Sequence, residues 1–296
     1  MTFMGTERLL DPQDFELIRE LSLVTKKRVT GLLIGEQRSP IQSGGIEFAD
    51  YRQYQVGDDL RRIDWLVFLR LRQLLIKLCA EEKEFTLMLI LDLSKSMQYG
   101  EFEKLWSAKK IAAILGGIAL HDGNRAGVLG LGNGLRELAP PTRDRSSLTE
   151  MINKLAKANP SQRFHPVEGV RHFAARYGRK CMFVFLSDLL YPEWEQVIRG
   201  LGASGCEGFV LQILAREELN PPYMGEITLD DLEGWGEVPL HVSKEIARYY
   251  MAEFSAFLNE TRRTCLRRGL GHALLSSDLS LAHSFHTYLK QEGLIC

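Results

Sequence analysis

The sequence predicts an α/β protein: a doubly wound, mostly parallel sheet preceded by a small N-terminal strand-and-loop subdomain. Three observations carry this reading. Residues 85–91 and 181–186 are unbroken apolar or β-branched runs of strand length, and 209–214 are apolar but for Gln212, as expected of strands covered on both faces. Each is followed by a stretch with helical spacing, and that alternation argues for an open parallel sheet. Glycines at Gly31, Gly35, Gly44, Gly45 and Gly57 break residues 29–78 into pieces too short for long helices. These features divide the chain into residues 1–82, a helix plus the strand-and-loop subdomain, and residues 83–296, the α/β domain.

The elements follow in chain order. Residues 11–25 carry Phe15, Leu17, Ile18, Leu21 and Leu23 at a loose helical period, with Asp11 and Pro12 suited to the cap and first turn. After the strand at 85–91, residues 102–120 place Phe102, Leu105, Trp106, Ala112, Ala113, Gly116, Ala119 and Leu120 three and four apart, the stripe of one covered helix face. Residues 126–131 and 135–138 flank Gly132-Asn133-Gly134, and Asn-Gly tolerates the positive φ of a tight hairpin turn. Helices are expected at 146–158, 166–177 and 192–201, the last two opened by proline. Residues 221–242 read as a loop-rich insertion, and 243–268 as a long amphipathic helix. Residues 272–276 and 279–291 supply a last strand and helix.

Composition removes several classes of function. The chain has 37 Lys plus Arg against 38 Asp plus Glu, a net charge of -1, so no global positive field holds nucleic acid or an anionic membrane. Its longest uncharged apolar run, residues 111–120, is half the roughly 20 residues that a membrane-spanning helix needs. No export signal is visible in the first residues, and five scattered cysteines lack any Cys-x-x-Cys pair. A cytoplasmic protein is expected. Gly130-x-Gly132-x-Gly134 lacks the dinucleotide-binding spacing, and neither a nucleophile elbow nor a phosphate loop occurs. His283 and His286 have no third ligand nearby, and Arg262, Arg263, Arg267 and Arg268 suit the negative end of the long helix.

The most informative residues are Asp92-Leu93-Ser94-Lys95-Ser96, at the end of the first buried strand. Ligands of open α/β sheets bind beyond the carboxyl ends of strands. One carboxylate and two hydroxyls at alternate positions of a turn suit a hard cation such as Mg2+, with places left for water and for an outside carboxylate. Ser187-Asp188 ends a second apolar strand in the same way, so Asp92, Ser94, Ser96 and Asp188 form the candidate metal set. The competing reading is local: Asp92 and Ser94 cap the following turn and helix. Upstream, Arg52, Arg61 and Arg62 stand among Asp58, Asp59 and Asp64, a structural charge network of bidentate pairs rather than a catalytic group.

Asp-x-Ser-x-Ser with a later strand-end aspartate resembles the metal-ion-dependent adhesion site of von Willebrand factor A domains, which share a Rossmann-like sheet. Glu47-Phe48 and the run from Arg52-Gln53-Tyr54-Gln55-Val56-Gly57-Asp58-Asp59 to Leu60-Arg61-Arg62-Ile63-Asp64-Trp65 resemble the signature of the bacterial domain-of-unknown-function 58 family. The resemblance spans about residues 30–215. It implies a non-catalytic accessory or adaptor protein of a MoxR-type AAA+ ATPase, acting in maturation of protein complexes or metal centres, with Mg2+ or Mn2+ as cofactor. One ligand departs from the adhesion-site pattern. No threonine occurs in residues 161–165, where Ser161 is the nearest hydroxyl, and Thr142 lies on an earlier loop. Two alternatives stay open: a magnesium-dependent phosphoryl-transfer enzyme with Asp92 as nucleophile, although Ser94 replaces the usual second aspartate, and a metal-free scaffold.

Overall fold

The structure is a computed structural model that describes residues 9–24, 47–56, 58–80, 84–100, 103–230, 237–278 and 284–295. Gly31, Gly35, Gly44, Gly45, Gly57, Phe102, His283, the residues before Leu9 and the side chain of Arg62 lie outside that description. In chain order the elements are α1 (Pro12–Glu20), β1 (Glu47–Gln53), α2 (Trp65–Leu71), β2 (Leu75–Ala80), β3 (Thr86–Asp92), α3 (Lys104–His121), β4 (Arg125–Gly132) and β5 (Gly134–Thr142). They continue with α4 (Leu148–Ala156), α5 (Pro166–Tyr177), β6 (Met182–Ser187), α6 (Trp194–Ala203), β7 (Glu207–Leu214) and the short α7 (Arg216–Leu219). Last come β8 (Gly225–Asp230), β9 (Glu237–Val242), α8 (Lys244–Arg267) and β10 (Gly271–Ser276), followed by a π-helical turn at Ser284–Leu289.

Two compact units result: Met1–Val24 with Phe85–Cys296, and Thr25–Glu84. In the larger unit six strands form one sheet in the order β10-β7-β6-β3-β4-β5. All neighbours are parallel except β4 and β5, whose hairpin turns at Gly134 with φ 80. The chain starts in the middle at β3, builds outward through β4 and β5, then returns to build β6, β7 and β10 on the other side. The strand order therefore reverses between β3 and β6, which makes their shared carboxyl end the topological switch point of a doubly wound sheet.

Side-chain alternation along the strands fills two separate cores. Leu87, Leu89, Leu91, Val184, Leu186 and Leu211 face α1, α3 and α4, while Met88, Ile90, Phe183, Phe185 and Val210 face α5, α6 and the end of α8. Because both faces are covered, the strands read as continuous apolar runs in the sequence. Helix α3 is buried along most of its length, and it approaches α1 so closely at Gly117 that a Cβ there would sit 2.6 Å from Ile18 Cδ1.

Three expectations need correction. Helix α1 sorts with the sheet unit rather than with the small subdomain, because Leu17 and Ile18 are buried in the α3 core. Its start is a capping box, in which the Asp11 carboxylate accepts the Gln13 and Asp14 amides and Asp14 accepts the Asp11 amide. Residues 221–242 are not merely loop: β8 and β9 pair antiparallel from Gly225↔Val242 to Asp230↔Glu237. The smaller unit holds a helix as well as its antiparallel pair β1-β2, since Asp64 caps α2 by accepting the Leu66 and Val67 amides. No helix among the described residues is long and apolar enough to cross a membrane.

Candidate functional site

The two acidic strand tips meet at the switch point. Asp92 ends β3 and Ser187-Asp188 ends the adjacent β6, and all three are fully buried. Asp92 Oδ1 accepts the Ser94 amide at 2.8 Å, and its Oδ2 accepts the Ser187 hydroxyl at 2.5 Å. Ser187 Oγ in turn accepts the Leu189 amide at 2.9 Å, across a bend that holds Leu189 at φ 59, a left-handed conformation costly for leucine. Ser94 Oγ lies 3.0 Å from Ser96 Oγ, so the hydroxyls of the Asp-x-Ser-x-Ser turn converge. Burial, with the nearby Asp188 carboxylate second, pushes the Asp92 carboxyl up to about 7.

Asp188 has its own counter-ion. Lys104, the first residue of α3 and fully buried, places Nζ 2.7 Å from Asp188 Oδ2 and 2.6 Å from Glu218 Oε1 on α7. The other Asp188 oxygen accepts the Leu190 amide at 3.0 Å, and its carbonyl accepts Gln212 Nε2–H at 3.1 Å. Gln212 Oε1 continues to His272 Nε2 at 3.2 Å. Glu218 Oε2 accepts the Ala215 amide at 2.8 Å, and burial followed by relief from Lys104 leaves its carboxyl raised. One ammonium thus serves two carboxylates, and Asp92 is left to its neutral donors. Tyr191 Oη is buried beside Ser187, and burial together with the Asp92 charge raises its phenol.

Asp92, Ser94 and Ser96 are the residues on one side of this crevice that could hold a divalent ion. They offer a carboxylate and two adjacent hydroxyls, and the Asp92 carboxyl, raised by burial and by the Asp188 charge, marks a place short of positive charge. Asp188 is already committed to Lys104, so it would act on such an ion through its charge rather than as a free ligand. No group of three His, Cys, Asp or Glu that could hold a metal occurs among the described residues. Ser161 approaches the motif from the loop before α5: its amide donates to the Leu93 carbonyl at 2.8 Å, while its hydroxyl accepts the Asn133 amide at 3.2 Å. Thr142 stands opposite Ala126 at the far end of the sheet, where Oγ1 accepts the Asp144 amide.

In the smaller unit the charge block divides into local tasks. Arg52 pairs with Asp58 at 2.9 Å, and Asp58 also accepts the Gln55 amide at 2.8 Å. Asp59 accepts the Arg61 amide at the turn Leu60–Arg62, and Asp64 accepts the Tyr51 hydroxyl at 2.9 Å while capping α2. Arg61 contributes its backbone to this set.

Sequence reasoning missed Lys104, Glu218 and Tyr191. A signal for the first was present. Lys104 falls on the buried stripe that continues through Ala108, Ile111, Ala112 and Leu115, and a charge on such a stripe requires a buried partner. Nothing local marks Glu218 or Tyr191 as that partner or its neighbour.

A six-stranded, mostly parallel sheet with an antiparallel edge strand and an acidic switch point defines a doubly wound α/β domain. The family model described as "Protein of unknown function DUF58" matches residues 50–260, and this chain belongs to that family. The uncharacterized proteins Rv1480 of Mycobacterium tuberculosis and Mb1516 of Mycobacterium bovis are each 27% identical over 273 residues, 90% of this chain and 85% of theirs. Among solved structures, a conserved hypothetical protein BatB from Bacteroides thetaiotaomicron overlaps 70% of this chain and 96% of its own, with TM-score 0.43 and 14% identity. A von Willebrand factor type A structure from Catenulispora acidiphila overlaps 74% of this chain and 43% of its own, also with TM-score 0.43 and 14% identity.

Proposed function

We propose that this chain is a non-enzymatic protein-interaction module, in which Asp92, Ser94 and Ser96 hold Mg2+ or Mn2+ and through it a carboxylate of a partner protein. The observation that carries this reading is the convergence of the β3 and β6 tips on one crevice, with Asp92 lacking a counter-ion of its own. When bound, the ion would supply a positive centre open to an outside acidic side chain. Ser187 and the Ser94 amide orient the Asp92 carboxylate toward that centre. Lys104 keeps Asp188 neutralised, so the crevice stays folded whether or not the ion is present.

A phosphoryl-transfer role for Asp92 draws no support from Ser94, which stands two residues on, where a second aspartate would act as acid and base. A metal-free scaffold is the second reading, and the Lys104–Asp188 pair favours it, because an internal ammonium already supplies part of the charge that a metal would bring. A MoxR-type AAA+ ATPase partner follows from the family resemblance of the signature block.

Titration calorimetry with Mg2+ and Mn2+, alone and then with the partner captured from the native cell, separates these readings. Binding that disappears in Asp92→Ala, together with chelator-sensitive capture of a MoxR-type ATPase, is the expected result. Capture that ignores both chelator and mutation would leave the scaffold reading, and phosphate-monoester turnover lost in Asp92→Asn would replace both.

A further inference from the structure

At the opposite, amino end of the same strands lie two thiols that the candidate site does not use. Cys181 immediately precedes β6 and Cys206 immediately precedes β7, and they are 5% and 7% exposed. Strands β6 and β7 pair in parallel from Met182↔Glu207 to Ser187↔Gln212, so extending that register one step sets Cys181 opposite Cys206. Adjacent strands are about 4.8 Å apart, inside the roughly 4.4–6.8 Å between Cα atoms that a disulfide accepts. The sulfur atoms are already 3.3 Å apart, near enough for a bond to form with a small side-chain adjustment.

The surroundings suit the chemistry. Cys206 follows the turn at Gly205, with φ 73, and its amide donates to Ser204 Oγ. The hydrogen bond from the Cys181 thiol, partly opposed by burial, lowers the Cys206 thiol to about 5, which favours its thiolate. The third buried cysteine provides a contrast within the same protein. Cys265 on α8 is fully buried, and burial pushes its thiol up to about 12.

We propose that Cys181 and Cys206 form a redox-modification site that closes reversibly to a disulfide on reaction with a hydroperoxide. With hydrogen peroxide, Cys206 Sγ attacks one oxygen, the O–O bond breaks, the other oxygen departs as hydroxide and is protonated to water, and Cys206 is left as the sulfenic acid. Cys181 Sγ then attacks the oxidised sulfur, the S–O bond breaks and a second water leaves as the S–S bond forms. Two electrons pass from the thiols to the peroxide. A dithiol exchanging with the disulfide restores the reduced pair. Closure would tie the starts of β6 and β7 together while leaving the acidic tip of β6 untouched.

The test treats the folded full chain with hydrogen peroxide, blocks remaining thiols with an alkylating agent, and maps the digest by mass spectrometry. A Cys181–Cys206 linked peptide, two hydrogens lighter than the reduced pair and reversed by dithiothreitol, is expected, with Cys265 still reduced. The oxidised chain should also melt higher than the reduced one. Cys181→Ser should stop the reaction with Cys206 as sulfenic acid, trapped by a dimedone-type reagent, and Cys206→Ser should yield neither product. Either of two results overturns the proposal: both thiols staying reduced until the chain is unfolded, or peroxide linking one of them to a different cysteine. The wild-type peptide map decides this even where a serine variant fails to fold.

Discussion

The carboxyl and amino ends of the central strands differ in kind although the same strands supply both. At the carboxyl end Asp92, Ser187, Asp188 and Gln212 are buried polar groups with partners on other elements: Asp92 and Ser187 bond each other across β3 and β6, Asp188 pairs with Lys104 from α3, which Glu218 from α7 shares, and Gln212 meets His272 from β10. The amino end of β6 and β7 carries Cys181 and Cys206, whose sulfurs touch each other, and the apolar contact of Gly208 with Phe183. A buried charge without a partner is far more costly than a buried thiol, so the carboxyl end is held by a network and the amino end by packing. The first is a place where chemistry can be offered to a ligand.

The comparison breaks most visibly at Lys104. Lys104→Met should cost about 3–5 kcal/mol by stranding Asp188 and Glu218, read as a lower urea midpoint, and added Mg2+ should recover part of the loss. A midpoint within about 1 kcal/mol of wild type would mean that the carboxylates protonate instead and that the network is dispensable.

The next effect lies in pH. Burial, with Arg262 second, holds the His272 imidazole down at about 4, below its unfolded value near 6.5, so its contribution is present above pH 6.5 and lost as the pH falls toward 4. That limb is worth roughly 3 kcal/mol. Asp92 works in the other direction: its folded value of about 7 exceeds the unfolded 3.8, so its contribution is full below pH 3.8 and lost as the pH rises toward 7. The two limbs therefore oppose each other between pH 4 and 6.5. Asp92→Asn should expose a profile that rises with pH, and His272→Gln one that falls, both measurable by urea titration at stepped pH.

At the amino end, Gly208→Ala should cost about 1–3 kcal/mol, because the added Cβ would lie 2.1 Å from Phe183 Cζ and the ring must move. Thermal melting checks this, and Phe183→Leu in the same background should recover part of the loss by making room. The smallest change is expected in the other unit. The Arg52–Asp58 pair is partly exposed to water, so Asp58→Asn should leave the melting midpoint within error of wild type. A large drop there would make the signature block as demanding as the strand tips.

Much of the architecture was legible in local pattern. Residues 85–91, 181–186 and 209–214 are covered on both faces, which is why their apolar runs need no alternation. Pro166–Tyr177 begins at the proline that the sequence marks, and the Asn-Gly turn joins β4 to β5. Helix α2 was not legible, since a seven-residue helix depends on the Asp64 cap more than on any period. The π-helical turn at Ser284–Leu289 is shorter than the helix expected over 279–291, and residues 279–283 lie outside the description.

Within the candidate site, Asp92, Ser94, Ser96 and Asp188 could be named from sequence because a polar residue ending an apolar strand is a local signal. Hydrophobic periodicity and turn chemistry act over a few residues, so the sequence by itself determined the buried strands, the longer helices and the acidic tips. Lys104 and Asp188 are 84 residues apart, and Asp92 and Ser187 are 95 apart. Those pairings, and the sharing of one ammonium by two carboxylates, were decided only when the sheet reversed its strand order between β3 and β6. A buried charge selects its partner by distance in space, and the topology sets that distance.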